Sequence, residues 1–296
     1  MNIRKIIILL FLAFGLSFLA VWLNKADQQK GEGDKLTITA SYYPLYDFAR
    51  NIGGDKVAVT NITPAGAEPH DYEPSPSTLV KVKESDVFVY NGGSFEPWVN
   101  NLLGSYPHIK VRASQDIKLL EGNDPHFWLD PLLARQIVVN IKNGLIAADP
   151  SHSEYYSSRA KRYIHTLEKL DEDFRNGLAS CSKQTVISSH DALSYIAKRY
   201  GFQVEPIAGL SPEEDPSAAR LAELSDLVRS EGLEYILFET LVSPRLADTI
   251  AQETGAKTLV FDPIEGLTNE DQKKGKDYLS VQRENLSGLR KALACK

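Results

Sequence analysis

The chain has 296 residues, room for one large domain or two modest ones. Its 43% hydrophobic and 24% charged residues are those of a globular protein, with no repeat and no low-complexity tract. A formal charge of -6 argues against nucleic-acid binding, which usually shows a basic face.

The first element is an apolar run from Ile6 to Leu23, preceded by Arg4 and Lys5. As a helix it would span about 27 Å, close to the hydrocarbon thickness of a bilayer. A basic flank plus such a run reads as an export signal or an N-terminal anchor. Neither an Ala-x-Ala-like cleavage site nor a lipid-accepting cysteine follows Leu23, which favours an uncleaved anchor over a cleaved signal. Residues 1–34 are therefore read as an anchor at 6–23 and a polar linker from Gln28 to Asp34. The rest of the chain is expected outside the cytoplasm.

Leu36 to Ser41 alternates and is β-rich, which predicts a strand. Pro44 to Ile52 is a predicted helix stopped by Gly53-Gly54, and Val57 to Ile62 a second strand. The loop from Pro64 to Pro76 is stiffened by four prolines. A helix from Ser77 to Glu84, a strand from Asp86 to Tyr90, a helix holding Trp98 and Leu102, and a strand from His108 to Val111 follow. Leu132, Ile137, Val138, Ile141 and Leu145 form the stripe of a helix ending before Asp149-Pro150. Ser151 to Glu154 fits a capping box. Tyr156, Ala160, Tyr163, Leu167, Leu170, Phe174 and Leu178 then recur at helical spacing, giving a helix of about 40 Å. That is longer than one crossover needs, so 151–180 reads as a rigid strut.

The second half repeats the alternation. Strands are expected at Thr185–Ser188, Gln203–Ala208, Tyr235–Phe238 and Lys257–Phe261, with helices at Ala192–Tyr200, Ala218–Arg229 and Pro244–Glu253 and a closing helix from Asp277 to Cys295. The fold class is α/β. Two lobes, 35–150 and 181–296, each carry about four parallel strands with flanking helices, and the strut joins them.

Parallel sheets bind ligands at the carboxyl ends of their strands. His70 lies in the loop after the second strand. His126 lies after the fourth, in Asp124-Pro-His-Phe-Trp-Leu-Asp-Pro131, where Asp130-Pro131 reads as a helix N-cap and first residue. His190 follows a strand of the second lobe, and Asp262 follows the last strand. All four could converge on one cleft. Three imidazoles and one carboxylate suit tetrahedral zinc, whereas a second carboxylate in place of an imidazole would shift the preference toward manganese. His108 opens a strand, His152 sits in a cap and His165 lies beside the strut's apolar stripe, so none of them is assigned a role. Cys181 and Cys295 would close a loop of over a hundred residues if bridged, and the alternative is two free thiols. Without a CxxC spacing a cysteine metal site is not expected.

Glu68 to Pro76, Asp124 to Pro131, Ser189-His190-Asp191-Ala192 and Phe261 to Leu267 together resemble the successive motifs of the zinc- and manganese-binding solute-binding proteins of ABC transporters. The resemblance runs from about Lys35 to the C-terminus, and its ordered motifs make it specific. It implies two α/β lobes joined by a long helix, with a metal in the cleft between them. It also implies a monomeric receptor that hands the metal to a membrane permease and performs no chemistry on it. By the same resemblance His70, His126 and His190 are the imidazole ligands, and a histidine at the third place is like the zinc members. Asp262 matches the aspartate of many members and is preferred as the fourth ligand, with Glu265, matching a glutamate used by some, as the alternative. Glu239 ends a neighbouring strand and is a candidate to orient a ligand histidine. Ser114 to Asn123 lacks the His-rich insertion of many zinc members.

The leading expectation is thus an extracytoplasmic receptor that captures zinc, with manganese less favoured. A zinc hydrolase could use three histidines and an open fourth position. It would also need a base, and there is no HExxH. Adhesion, a role sometimes attached to the family, has no sequence feature for or against it.

Overall fold

Short β-branched and aromatic runs separated by amphipathic helices fold here into parallel sheets. The computed structural model describes residues 35–93 and 95–296. The expected anchor and linker, 1–34, lie outside the described residues. Among the described residues no helix is long and apolar enough to cross a membrane.

In the first half β1 (Leu36–Ala40) is central, paired in parallel with β2 (Val57–Asn61) and β3 (Val87–Tyr90), and β3 pairs with β4 (Ile109–Arg112). The strand order is β2-β1-β3-β4. Helix α1 (Tyr43–Gly53) starts with Pro44 in its first turn, where the missing N–H costs nothing. It ends at Gly54, whose φ of 57° favours glycine. A side chain there would run into Tyr155 and Arg159 of the strut, so the glycine also permits close packing. Helices α2 (Pro76–Glu84), α3 (Pro97–Leu103) and α4 (Pro131–Ala148) complete this half. α4 is capped by Asp130, whose Oδ1 accepts from the Leu132 and Leu133 N–H groups.

The strut is α5 (Ser153–Gly177), 25 residues and about 37 Å long. Tyr156, Ala160, Tyr163, Leu167, Leu170 and Phe174 bury one face of it, as their spacing predicts. The expected capping box does not form. Pro150–His152 makes a 3-10 turn instead, and the Asp149 carboxylate takes the Ser151 hydroxyl, the His152 ring and the Tyr156 hydroxyl. Ser151 is thereby occupied one turn before the helix begins.

The second half holds β5 (Thr185–Ser188), α6 (Ser194–Tyr200), β6 (Gln203–Pro206), α7 (Ala218–Glu231), β7 (Tyr235–Phe238), α8 (Arg245–Thr254), β8 (Lys257–Val260), the short α9 (Asn269–Lys273) and α10 (Tyr278–Ala292). The four expected strands are present as two parallel pairs, β5-β6 and β7-β8. Cys181 and Cys295 are joined by a disulfide, which ties the exit of the strut to the end of α10.

Leu36–Lys296 forms one compact unit. One buried apolar cluster runs through it, taking in Phe48 and Ile137 of the first half, Leu167 and Phe174 of the strut, and Ile196, Phe261 and Leu289 of the second. The strut is therefore packed on both sides of the molecule, and the strand ends of both halves face a shared site.

Candidate metal centre

Four chain segments deliver the site, each from the connection that follows a parallel strand. His70 comes from the loop after β2, His126 from the loop after β4, His190 from the residues after β5, and Glu265 from the turn after β8. Their ligand atoms all lie within 4.8 Å of one another. His126 Nε2 is 3.2 Å from His70 Nε2 and 3.2 Å from His190 Nε2. Glu265 Oε1 is 3.2 Å from His70 Nε2, 3.2 Å from His126 Nε2 and 3.3 Å from His190 Nε2. Five of the six separations are thus 3.2–3.3 Å, and a regular tetrahedron of that edge has its centre about 2.0 Å from each corner, the length of a zinc bond to nitrogen or oxygen. The donor set is closed and nitrogen-rich, which suits zinc better than the oxygen-rich octahedron of manganese.

Asp262, preferred as the fourth ligand on sequence grounds, is not among the converging groups. Both of its oxygens are occupied elsewhere. Oδ1 accepts from the Ile264 N–H at 2.7 Å and Oδ2 from the Thr240 hydroxyl at 3.0 Å. Burial pushes its carboxyl up to about 6. Glu265, the alternative, meets all three imidazoles.

The histidine rings are held from behind. His190 Nδ1 bonds Glu239 Oε1 at 2.7 Å, a contact that fixes the ring with Nε2 toward the cluster. His126 Nδ1 bonds Asp124 Oδ1 at 2.8 Å, and that oxygen also accepts from the His126 N–H at 2.9 Å. Glu68 Oε1 accepts from the His70 N–H at 3.1 Å. Sequence reasoning missed Asp124 and Glu68, although a signal was present. Glu68-Pro-His70, Asp124-Pro-His126, Asp130-Pro-Leu132 and Asp262-Pro-Ile264 share one device. In each, an acid accepts from the N–H two residues on, past a proline that has none to give.

The electrostatics favour a cation. His126, His190 and Glu265 are buried, and His70 keeps a slight exposure that marks the open side of the cluster. Burial alone would raise the Glu265 pKa, but the His190 charge and hydrogen bonds from the three imidazoles hold it well below the usual carboxylate range. Burial works against charge on His190, yet Glu239 and Glu265 raise it well above the usual value. Burial, reinforced by the Glu265 charge, pushes Glu68 up to about 9. One oxygen each of Glu68, Asp124, Glu239 and Glu265 is buried without a hydrogen-bond partner. Buried carboxylates at this density are costly unless positive charge joins them.

Residues 38–292 match the family model described as zinc-uptake complex component A, periplasmic. The chain is 38% identical to the high-affinity zinc uptake system protein ZnuA of Bacillus subtilis over 286 residues, 90% of each chain. It is 37% identical to the zinc-binding lipoprotein AdcA of Streptococcus pneumoniae over 93% of this chain, and it spans 59% of that longer protein. The solved Zn(II)-bound ZnuA-like domain of S. pneumoniae AdcA superposes with a TM-score of 0.80 at 39% identity, covering 88% of this chain and 99% of that one.

Proposed function

Since this chain belongs to the family of periplasmic zinc-uptake component A proteins, we propose that it is an extracytoplasmic receptor that captures zinc and delivers it to an ABC permease. Zinc is its cargo, and the chain performs no chemistry on it. The observation that carries the reading is the set of 3.2–3.3 Å separations between one Glu265 oxygen and three imidazole nitrogens. His70, His126, His190 and Glu265 would be the ligands. Glu239 and Asp124 would hold the His190 and His126 rings with Nε2 turned inward. The lobes at 35–150 and 181–296, joined through 151–180, would each contribute two ligands. Attachment to the membrane through residues 6–23, and action as a monomer, belong to the same proposal.

Chelator-stripped protein tests it. One zinc per chain should bind, with manganese a poor competitor. Ala at His70, His126 or Glu265 should weaken binding more than about 100-fold, beyond the range usual for orienting partners. Unchanged zinc binding after any of these substitutions would remove that residue from the ligand set. Ligation needs neutral imidazoles, so affinity should fall as pH drops toward 5. A flat affinity from pH 5 to 8 would contradict imidazole ligation.

A further inference from the structure

We propose that Trp128 and Asp262 are positioning residues that hold Glu265 in the site through a strained turn. On this view the turn, and not the donor set alone, decides how long the site keeps its ion. The proposal rests on the zinc-capture reading above.

Ile264 is the anomaly that points there. It is fully buried and has a φ of 60°, in the left-handed region that β-branched residues rarely adopt. Such a conformation persists only where the surroundings enforce it. Here they do. Asp262 Oδ1 accepts the Ile264 N–H at 2.7 Å. Asn285 grips the Asp262 backbone from both sides, accepting its N–H at 2.9 Å and donating to its carbonyl at 2.6 Å. Thr240 holds the second Asp262 oxygen at 3.0 Å. Between these anchors the Trp128 indole N–H donates to the Pro263 carbonyl at 2.8 Å. The residue after Ile264 is Glu265, 1% exposed and aimed at the histidines.

Trp128 joins two ligand segments in a closed ring. It lies two residues after His126, and Pro263 lies two residues before Glu265. Following the chain from His126 to Trp128, across the hydrogen bond to Pro263, and on to Glu265 returns to His126 at 3.2 Å. The indole is itself fixed. It is fully buried, its ring packs edge-on against Tyr42, and its carbonyl accepts from the Tyr278 hydroxyl at 2.5 Å. Losing the indole hydrogen bond frees the Pro263 carbonyl, and the Ile264 turn can relax and carry the Glu265 carboxylate off the imidazoles. The three histidines stay behind as a weaker site. Asp262 acts the same way from the other side of the turn, without touching the ion.

A double-mutant cycle tests this. Trp128→Phe keeps the aromatic bulk and removes the donor, and Asp262→Ala removes both side-chain acceptors. Each is made in the wild-type and in the Glu265→Gln background. Zinc affinity is read by chelator competition, release by stopped flow into excess chelator, and folding by thermal melting. In the wild-type background each change should weaken zinc binding about 10- to 100-fold, mainly through faster release. In the Glu265→Gln background each should cost little more, because the group they position is already lost. Equal losses in both backgrounds would overturn the proposal and mark Trp128 as mere packing. An undiminished loss for Asp262→Ala alone would make Asp262 a ligand and also overturn it. If Trp128→Phe fails to fold, the Asp262→Ala cycle decides alone. Wild-type protein that retains no zinc would overturn the capture reading along with this one, whereas firm wild-type retention with equal losses overturns only this one.

Discussion

Asp47 carries a cost that can be read by titration. It is 4% exposed in α1, and its Oδ2 accepts from Tyr163 at 3.2 Å and Asn51 at 3.1 Å. Burial, then the Asp277 charge, pushes its carboxyl up to about 6. The folded pKa is raised above the unfolded one, so the unfolded chain ionises first. The stability Asp47 contributes is full below about pH 4 and is lost as pH climbs through about 6. Ionised at pH 8, it costs on the order of 3 kcal/mol relative to its protonated form. Asp47→Asn keeps an acceptor for Tyr163 and should raise the urea midpoint at pH 8, with a gain that vanishes near pH 4. An equal gain at both pH values would show that burial of the charge is not the cause. At this scale the three histidines that converge were legible in the sequence, because each follows a strand and strand ends can be read from periodicity. It could not rank Asp262 against Glu265. Both acids follow β8, and only Glu265 reaches the imidazoles, across a turn in which Ile264 takes a positive φ that nothing in a β-branched residue announces. Asp124 was readable, since the acid-proline-histidine spelling occurs twice.

Elements were legible where one face is apolar. The strut's buried residues keep the three-and-four spacing seen in sequence, and the strands of both halves lie where alternation or apolar runs placed them. Helix ends were less legible, because a Ser-x-x-Glu spelling does not say whether the serine is already engaged. Asp149 takes Ser151 here, and the helix starts later. The α9 turn was missed as well: at five residues it is too short to show a period, and only its Thr268 cap marks it. The disulfide ties the end of the strut to the end of α10, across a sequence separation of 114. In the chain-entropy model a loop of that length is worth about 5 kcal/mol through the unfolded state. Cys181→Ala with Cys295→Ala should therefore lower unfolding stability by about 2–5 kcal/mol. Zinc affinity should hold, since no ligand segment contains either cysteine. Unchanged unfolding in reductant would mean the bridge adds nothing to the folded protein. A large loss of zinc affinity would mean the clamp reaches the site.

The whole molecule combines a stiff frame with one lightly covered histidine of the candidate site. A single buried cluster spans both halves and the strut, so a large hinge motion would have to shear packed side chains. The His126 segment is bolted across the halves. Tyr195 donates to the Asp124 carbonyl, Trp128 to Pro263, Tyr278 to the Trp128 carbonyl and Gln282 to the Leu129 carbonyl, while Arg199 pairs with Asp130. His70 differs. It is the one of the four converging residues with some exposure, and its loop reaches the Glu265 side through the Gly66 N–H, which donates to the Leu267 carbonyl at 3.0 Å. Loading and release should then proceed by movement of the segment around 64–76 against a nearly fixed frame. Solution scattering with and without zinc should show a radius of gyration constant to within about 1 Å, the scale of change in pre-organised partners. Hydrogen exchange should show its largest local protection by zinc at 64–76, above the uniform gain that ligand binding gives the whole fold. Compaction of several ångströms on loading, or protection concentrated in the strut, would replace this picture with hinge closure of the lobes.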